Sequence, residues 1–219
     1  MGKRFWIILI AFAAILLGIF MFRSNKAAAP VTSAAPSSHL LGAGKKNVTF
    51  VEYGDYQCPA CGAYYPIVKQ VQQKYGDDIT FQFRNFPLTQ IHPNAMAGAR
   101  AAEAAGLQNR YWEMHDLLYE QQSNWSSVSN VSKIFEDYAT QLALNIDKFR
   151  SDYNSASVNN VINADIAAGQ KLGANATPTF VLDGKKIDTN PRDEAGFSKL
   201  IDAEIAKKAV HVQPSSSQP

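Results

Sequence analysis

The sequence predicts an α/β fold in which two small strand-bearing halves flank an inserted block of helices. Three observations carry this expectation. Runs rich in β-branched and aromatic residues at 47–53 and 79–83 bracket a helical stripe, which makes a βαβ unit. A second pair of short strands meets at Asp183-Gly184, about a hundred residues further on. Between them, residues 92–173 show little strand character, and apolar residues there recur at helical spacing.

In chain order, Phe5 to Phe22 is an 18-residue run without a charge. As a helix it reaches about 27 Å, close to the roughly 30 Å of a bilayer core, so residues 1–23 are expected to form one transmembrane anchor or an uncleaved signal. A cleavable signal peptide normally has an apolar region of only about 7–15 residues. Lys3 and Arg4 precede the run while Arg23 and Lys26 follow it, so charge favours a cytoplasmic N-terminus only slightly. Residues 24–45, rich in Ala, Ser and Pro and without apolar periodicity, read as a disordered tether, and 211–219 as a disordered tail.

The expected domain is 46–210. Asn47 to Tyr53 and Ile79 to Phe83 are strands, and Pro59 to Tyr75 is a helix with Ile67, Val68, Val71 and Tyr75 on one stripe, closed by Gly76. The insert, about 92–173, contains an alanine-rich helix from Pro93 to Ala105 and further helices at Arg110 to Gln122, Val131 to Leu142 and Ser157 to Leu172. Thr179 to Leu182 and Lys185 to Ile187 form the hairpin, and Asp193 to Lys208 the last helix, with lysines in its final turn to complement the dipole.

Composition excludes several functions. At 219 residues with 46% apolar and 18% charged, the chain is neither collagen-like nor low-complexity. Four of its 21 basic residues lie in the first 26, where there is no acid, so the remainder is slightly acidic and carries no nucleic-acid footprint. Only Cys58 and Cys61 occur, which rules out a disulfide framework or a four-cysteine metal site. Zinc would need two more ligands, and His39, His92, His115 and His211 show no close pairing, so no metal is expected.

What two cysteines three apart can do is redox chemistry. Cys58 falls where the first strand passes into the helix, so free backbone N–H groups point at its sulfur and favour the thiolate, with a pKa in the range of about 3.5 to 7.5. A stabilised thiolate is a better leaving group and makes an oxidant of its disulfide. Cys61, one turn in, is the shielded resolving thiol. Pro59 at the first helical turn loses no hydrogen bond. Glu52 shares a face with Val48 and Phe50 on what should be a strand covered on both sides; its burial would raise its pKa and suit it to exchange a proton with Cys61. Asp55 reads equally as a turn former. Thr177-Pro178, just before the hairpin, is a candidate cis bond that would turn a backbone edge toward Cys58 for an extended substrate.

Four segments together, Val51 to Cys61 (VEYGDYQCPAC), Arg84 to Leu88 (RNFPL), Trp112 to Asp116 (WEMHD) and Ala176 to Phe180 (ATPTF), closely resemble thiol:disulfide oxidoreductases of the DsbA type. The resemblance runs from about residue 46 to 208. It implies a thioredoxin-like fold with an inserted α-helical subdomain, here preceded by the transmembrane helix. It also implies Cys58 as nucleophile, Cys61 as its resolving partner, Glu52 as the buried acid and Pro178 as the cis-proline. Thr177, Pro59 and Ala60 would then touch substrate, and no cofactor beyond the Cys58–Cys61 disulfide is needed. Implied with it are a catalytic domain on the extracytoplasmic side of the cell membrane, cysteine-bearing exported proteins as substrates, and re-oxidation by a quinone-coupled membrane thiol oxidase. The domain is expected to act as a monomer. Ala60 stands where the best-known periplasmic oxidant has histidine. His92 and His115 match family positions on the insert and read as helix-start and packing residues. A disulfide reductase or isomerase on the same scaffold, or a tethered peptide-binding module, are the competing expectations.

Overall fold

In the computed structural model, residues 34–211 are described. The expected membrane anchor at 1–23, the tether up to residue 33 and the tail from 212 onward lie outside the described residues. Among the described residues no helix is long and apolar enough to cross a membrane.

The strand that organises the domain is β2 (Val48–Gly54). Alternate residues Val48, Phe50 and Glu52 face one layer, while Val51 and Tyr53 face the other, and all five are buried. β2 pairs in parallel with β3 (Ile79–Asn85), from Val48 opposite Ile79 to Gly54 opposite Asn85. On its other side it pairs antiparallel with β4 (Thr179–Leu182), which continues through Asp183-Gly184 into β5 (Lys185–Lys186). With β1 (Leu40–Leu41) antiparallel on the outer edge of β3, the sheet order is β1-β3-β2-β4-β5. The parallel β2/β3 pair is joined by α1 (Pro59–Tyr75), which buries Cys61, Val68, Val71 and Tyr75 and ends at Gly76 with a positive φ of 47°. On the same layer lies α8 (Glu194–His211), bonded to α1 through Tyr75 Oη to Asp202 at 2.7 Å. The rings of Phe50, Phe180 and Phe197 meet between sheet and helices, with centroids 4.8 to 5.5 Å apart.

Between β3 and β4 the insert comprises α2 (Ala95–Gly106), α3 (Tyr111–Glu120), the short α4 (Gln122–Trp125), α5 (Ser132–Gln141), α6 (Ile146–Tyr153) and α7 (Ala156–Lys171). The expected mixed α/β fold with a helical insert is therefore present. Buried alanines 95, 99, 101, 102, 104 and 105 let α2 lie against α3, α6 and α7. Helix α6 was not expected. Its apolar stripe is short, and its start is fixed by Asn145, whose side chain accepts the Lys148 N–H at 2.8 Å.

One expectation is corrected. Residues 34–45, read as part of a disordered tether, are packed onto the domain. Asp165 accepts the Ser37 N–H at 2.9 Å, Gln82 donates to the Ser37 carbonyl at 2.7 Å, and Leu40 and Leu41 pair with Gln82 and Phe81. His39 stacks on Tyr111 with centroids 3.6 Å apart and meets Glu103 at 3.0 Å. The segment is held by single polar groups on remote elements, and such bonds leave no periodicity in the sequence.

Candidate active site

Strand β2 ends at Gly54, and the chain makes a tight turn before α1 begins. The turn is closed by Cys58 N–H donating to the Asp55 carbonyl at 3.0 Å. Cys58 is thereby the N-cap of α1 in extended conformation, with Pro59 in the first turn and no acidic side chain there to compete for the free N–H groups. Its sulfur lies 3.6 Å from the Thr177 carbonyl, and the Thr177–Pro178 bond is cis. Pro59 and Ala60 are exposed, Thr177 is half-buried and Pro178 buried, so Cys58 sits at the rim of the domain with the Thr177 edge beside it. Both cysteines are free thiols.

The two sulfurs are pushed in opposite directions. Cys58 is lowered from an ordinary thiol value of 9.0 to about 5. The Cys61 thiol hydrogen-bonded to it contributes most, against the burial that raises it; Thr177 and the backbone N–H groups of Cys61 and Ala60 add to the lowering. The helix terminus thus helps, but the partner thiol does more. The Thr177 hydroxyl is buried without a hydrogen-bond partner and is able to donate to a thiolate, which the Thr177 carbonyl is not. Cys61 is fully buried and its thiol pushed well up, first by burial, then by its bond to Cys58 and the charge of Glu52; its sulfur accepts the Asp55 N–H at 3.5 Å. Glu52 is 2% exposed and its Oε1 has no partner; burial, then the Cys58 charge, raise it to about 8. At neutral pH it is therefore a protonated acid next to the exchanging pair.

All the residues assigned from sequence are brought together: Glu52 from β2, Cys58 to Cys61 from the start of α1, and Thr177 and Pro178 from the approach to β4. Several residues that build the site carried no such signal. Gln122 on α4 donates to the carbonyls of Tyr56 at 2.7 Å and Cys58 at 3.0 Å. Gln57 accepts the Asn94 N–H and donates to the Ser126 carbonyl, both at 2.6 Å. The insert is thus bonded directly to the redox turn. Asp55 is 1% exposed and bonded to His92, which makes it more than a turn former and His92 more than a helix-start residue. Beyond the family positions of Asp55 and His92, the hint in the sequence is nearness to the motif or to a helix start. His115 is a packing residue: it lies among Tyr56, Phe83, Trp112 and Tyr119, and burial lowers it to about 3, so it is neutral. Among the described residues no group of three or more His, Cys, Asp or Glu side chains gathers to hold a metal ion.

Chemically, this arrangement can exchange a thiol for a disulfide: one rim sulfur stable as thiolate, one shielded sulfur that needs a proton, and an acid to supply it. Known proteins point the same way in fold. A Na(+)/H(+) antiporter NhaA 1 of Mycolicibacterium gilvum is 34% identical over 169 residues, covering 75% of this chain and 26% of that protein. The chain spans about a quarter of the length of such curated relatives. The crystal structure of oxidised BdbD from Bacillus subtilis is 25% identical with a TM-score of 0.68, over 80% of this chain and 97% of that one. Alpha-DsbA1 of Wolbachia pipientis, at 22% identity, shares the fold with a TM-score of 0.70 over 84% and 98%. The thioredoxin family model matches residues 34–203, from the packed N-terminal strap into the last helix and across every residue of the redox site. The chain therefore belongs to the thioredoxin family.

Proposed function

We propose that this protein is a membrane-tethered, extracytoplasmic thiol:disulfide oxidoreductase of the DsbA type that forms disulfides in exported proteins. The observation that carries the reading is the asymmetry of the sulfurs, with Cys58 lowered to about 5 and Cys61 pushed up. A substrate thiolate attacks Cys58 Sγ of the oxidised protein, and the Cys58–Cys61 bond breaks with its electron pair on Cys61. Glu52, protonated at neutral pH, would give that sulfur its proton, a role supported by the coupling of its charge to Cys61. The substrate's second thiolate then attacks its own sulfur in the mixed disulfide and releases Cys58 as thiolate. A low leaving-group pKa favours that last step and the net oxidation of substrate. Thr177 and the exposed Pro59-Ala60 pair flank Cys58 and would contact the substrate chain.

Two electrons remain on the protein after each cycle, so an acceptor is required; a quinone-coupled membrane thiol oxidase fits that need. The uncharged run from Phe5 to Phe22 is the support for attachment to the membrane. The antiporter names belong to proteins about four times the length of the matched stretch, and ion transport is not proposed for this chain. The reading is tested by the equilibrium potential against glutathione: a value near that of thioredoxin, about −270 mV, would defeat the oxidant direction and favour a reductase.

A further inference from the structure

Between β2 and the redox helix, one buried carboxylate belongs to a residue whose backbone touches both cysteines. The Asp55 N–H donates to Cys61 Sγ at 3.5 Å, and its carbonyl accepts the Cys58 N–H at 3.0 Å. Its side chain is held just as completely. Oδ1 accepts the Gln57 N–H at 2.8 Å, and Oδ2 accepts the Leu88 N–H at 2.9 Å and lies 2.6 Å from His92 Nδ1. The Gly54 carbonyl, in the same peptide unit as the Asp55 N–H, is pinned by Phe86 N–H at 2.8 Å. Leu88 and His92 lie on the loop between β3 and α2, so that loop, acting through Asp55, sets the plane of the peptide aimed at Cys61. Asp55 is 1% exposed, and the His92 side chain is 15% exposed, so His92 closes the cluster toward solvent.

We propose that His92, acting through Asp55, is a positioning residue for the resolving half of the exchange. Their pair fixes the Asp55 N–H against Cys61 Sγ, where it is a donor to the sulfur when it carries charge. Thiol–disulfide exchange passes through a Cys61 thiolate in either direction, as leaving group when the protein disulfide opens and as attacking group when it closes. Without His92 the buried Asp55 side chain loses a hydrogen-bond partner and, with it, its hold on the peptide plane. Attack by Cys58 is affected less, because the Asp55 N–H bonds to Cys61 Sγ and not to the Cys58 sulfur.

The proposal rests on the function proposed above, and the experiment separates the two. Reduced protein is mixed with oxidised glutathione. Cys58 thiolate attacks one glutathione sulfur, giving a mixed disulfide and one glutathione thiolate. Cys61 thiolate then attacks Cys58 Sγ, closing the protein disulfide and releasing the second glutathione; the protein has lost two electrons and glutathione disulfide has gained them. Acid quenching and mass spectrometry give both rate constants. In His92→Phe the first rate should stay within about twofold, closure should slow about tenfold, and His92→Asn, which keeps a donor near the Nδ1 position, should recover most of the loss. Closure at the unaltered rate in folded His92→Phe would overturn the proposal. Equal slowing of both steps, or failure of His92→Asn to recover closure, would reduce His92 to a structural part and overturn it as well. Should His92→Phe not fold, Asp55→Asn, which sets an amide nitrogen either against the Leu88 and His92 donors or against the Gln57 N–H, must show the same selective slowing. Failure of the unaltered protein to form either a mixed or an internal disulfide with oxidised glutathione would instead sink the proposed function itself.

Discussion

If Cys58 holds its charge as the structure indicates, the reduction potential must change its pH slope near pH 5. Below that value both sulfurs are thiols after reduction, two protons accompany two electrons, and the potential falls by about 59 mV per pH unit. Above it Cys58 remains a thiolate, a single proton is taken up, and the slope halves to about 30 mV per unit. Cys61 is pushed up and Glu52 sits at about 8, so the interval from about pH 5 to 7 belongs to Cys58. The sign follows from what each state gains. An ordinary thiol at 9.0 is protonated at pH 7, whereas a group at about 5 lies two units past its midpoint. That difference favours the reduced protein by about 3 kcal/mol, which raises the potential by about 60 mV at pH 7. The excess vanishes below pH 5. Glutathione redox buffers from pH 4 to 7.5, with the oxidised fraction read by acid-trapped alkylation, would follow the break. A single steep slope continuing to pH 7.5 would refute the argument, because Cys58 would then be an ordinary thiol.

Three further outcomes test other parts of the site. Cys61→Ser should accumulate a mixed disulfide with a reduced cysteine peptide supplied with oxidised glutathione, seen by mass spectrometry, whereas Cys58→Ser should form none; accumulation on Cys61 in the latter would reverse the assignment of attacking and resolving sulfur. Glu52 is raised from 4.5 to about 8, so its carboxyl contributes stability below pH 4.5 that is lost as pH rises toward 8. Glu52→Gln should therefore gain on the order of 3 kcal/mol relative to the unaltered protein between pH 4.5 and 7 in denaturant melts, and a difference independent of pH would count against a buried proton. Gly54→Ala would bring a Cβ within 2.3 Å of Phe83 Cε2 and 3.0 Å of Tyr119 Oη, so it should cost about 1–3 kcal/mol of stability; an unchanged melting midpoint would mean that β2 lies farther from those rings.

The parts of this protein legible in its sequence are those written in local chemistry. Helix α1 has the bounds its stripe, Pro59 and Gly76 suggest, and the turn at Asp183-Gly184 has its hairpin, because each depends on residues a few positions apart. The candidate redox residues were legible for the same reason: the cysteines are the N-cap and the third residue of one helix, and Glu52 follows the two-residue period of one strand. Illegible were the bonds between segments. Ser37 with Asp165 is separated by 128 positions, Gln57 with Ser126 by 69, and Asp55 with His92 by 37. Each involves a small polar side chain that satisfies a buried backbone group or charge, and a partner of that kind can sit anywhere along the chain. The consequence for function is specific. The sequence predicts which sulfur attacks and which resolves, but the bonds that tie the turn around them to the rest of the domain come from Gln122, Asn94 and His92, all contributed by the insert and the loop leading into it. A bare βαβ unit with the same four residues from Cys58 to Cys61 would lack those bonds. The helical insert therefore shapes the redox turn as well as covering it, and substitutions within it should alter exchange rates without touching a cysteine.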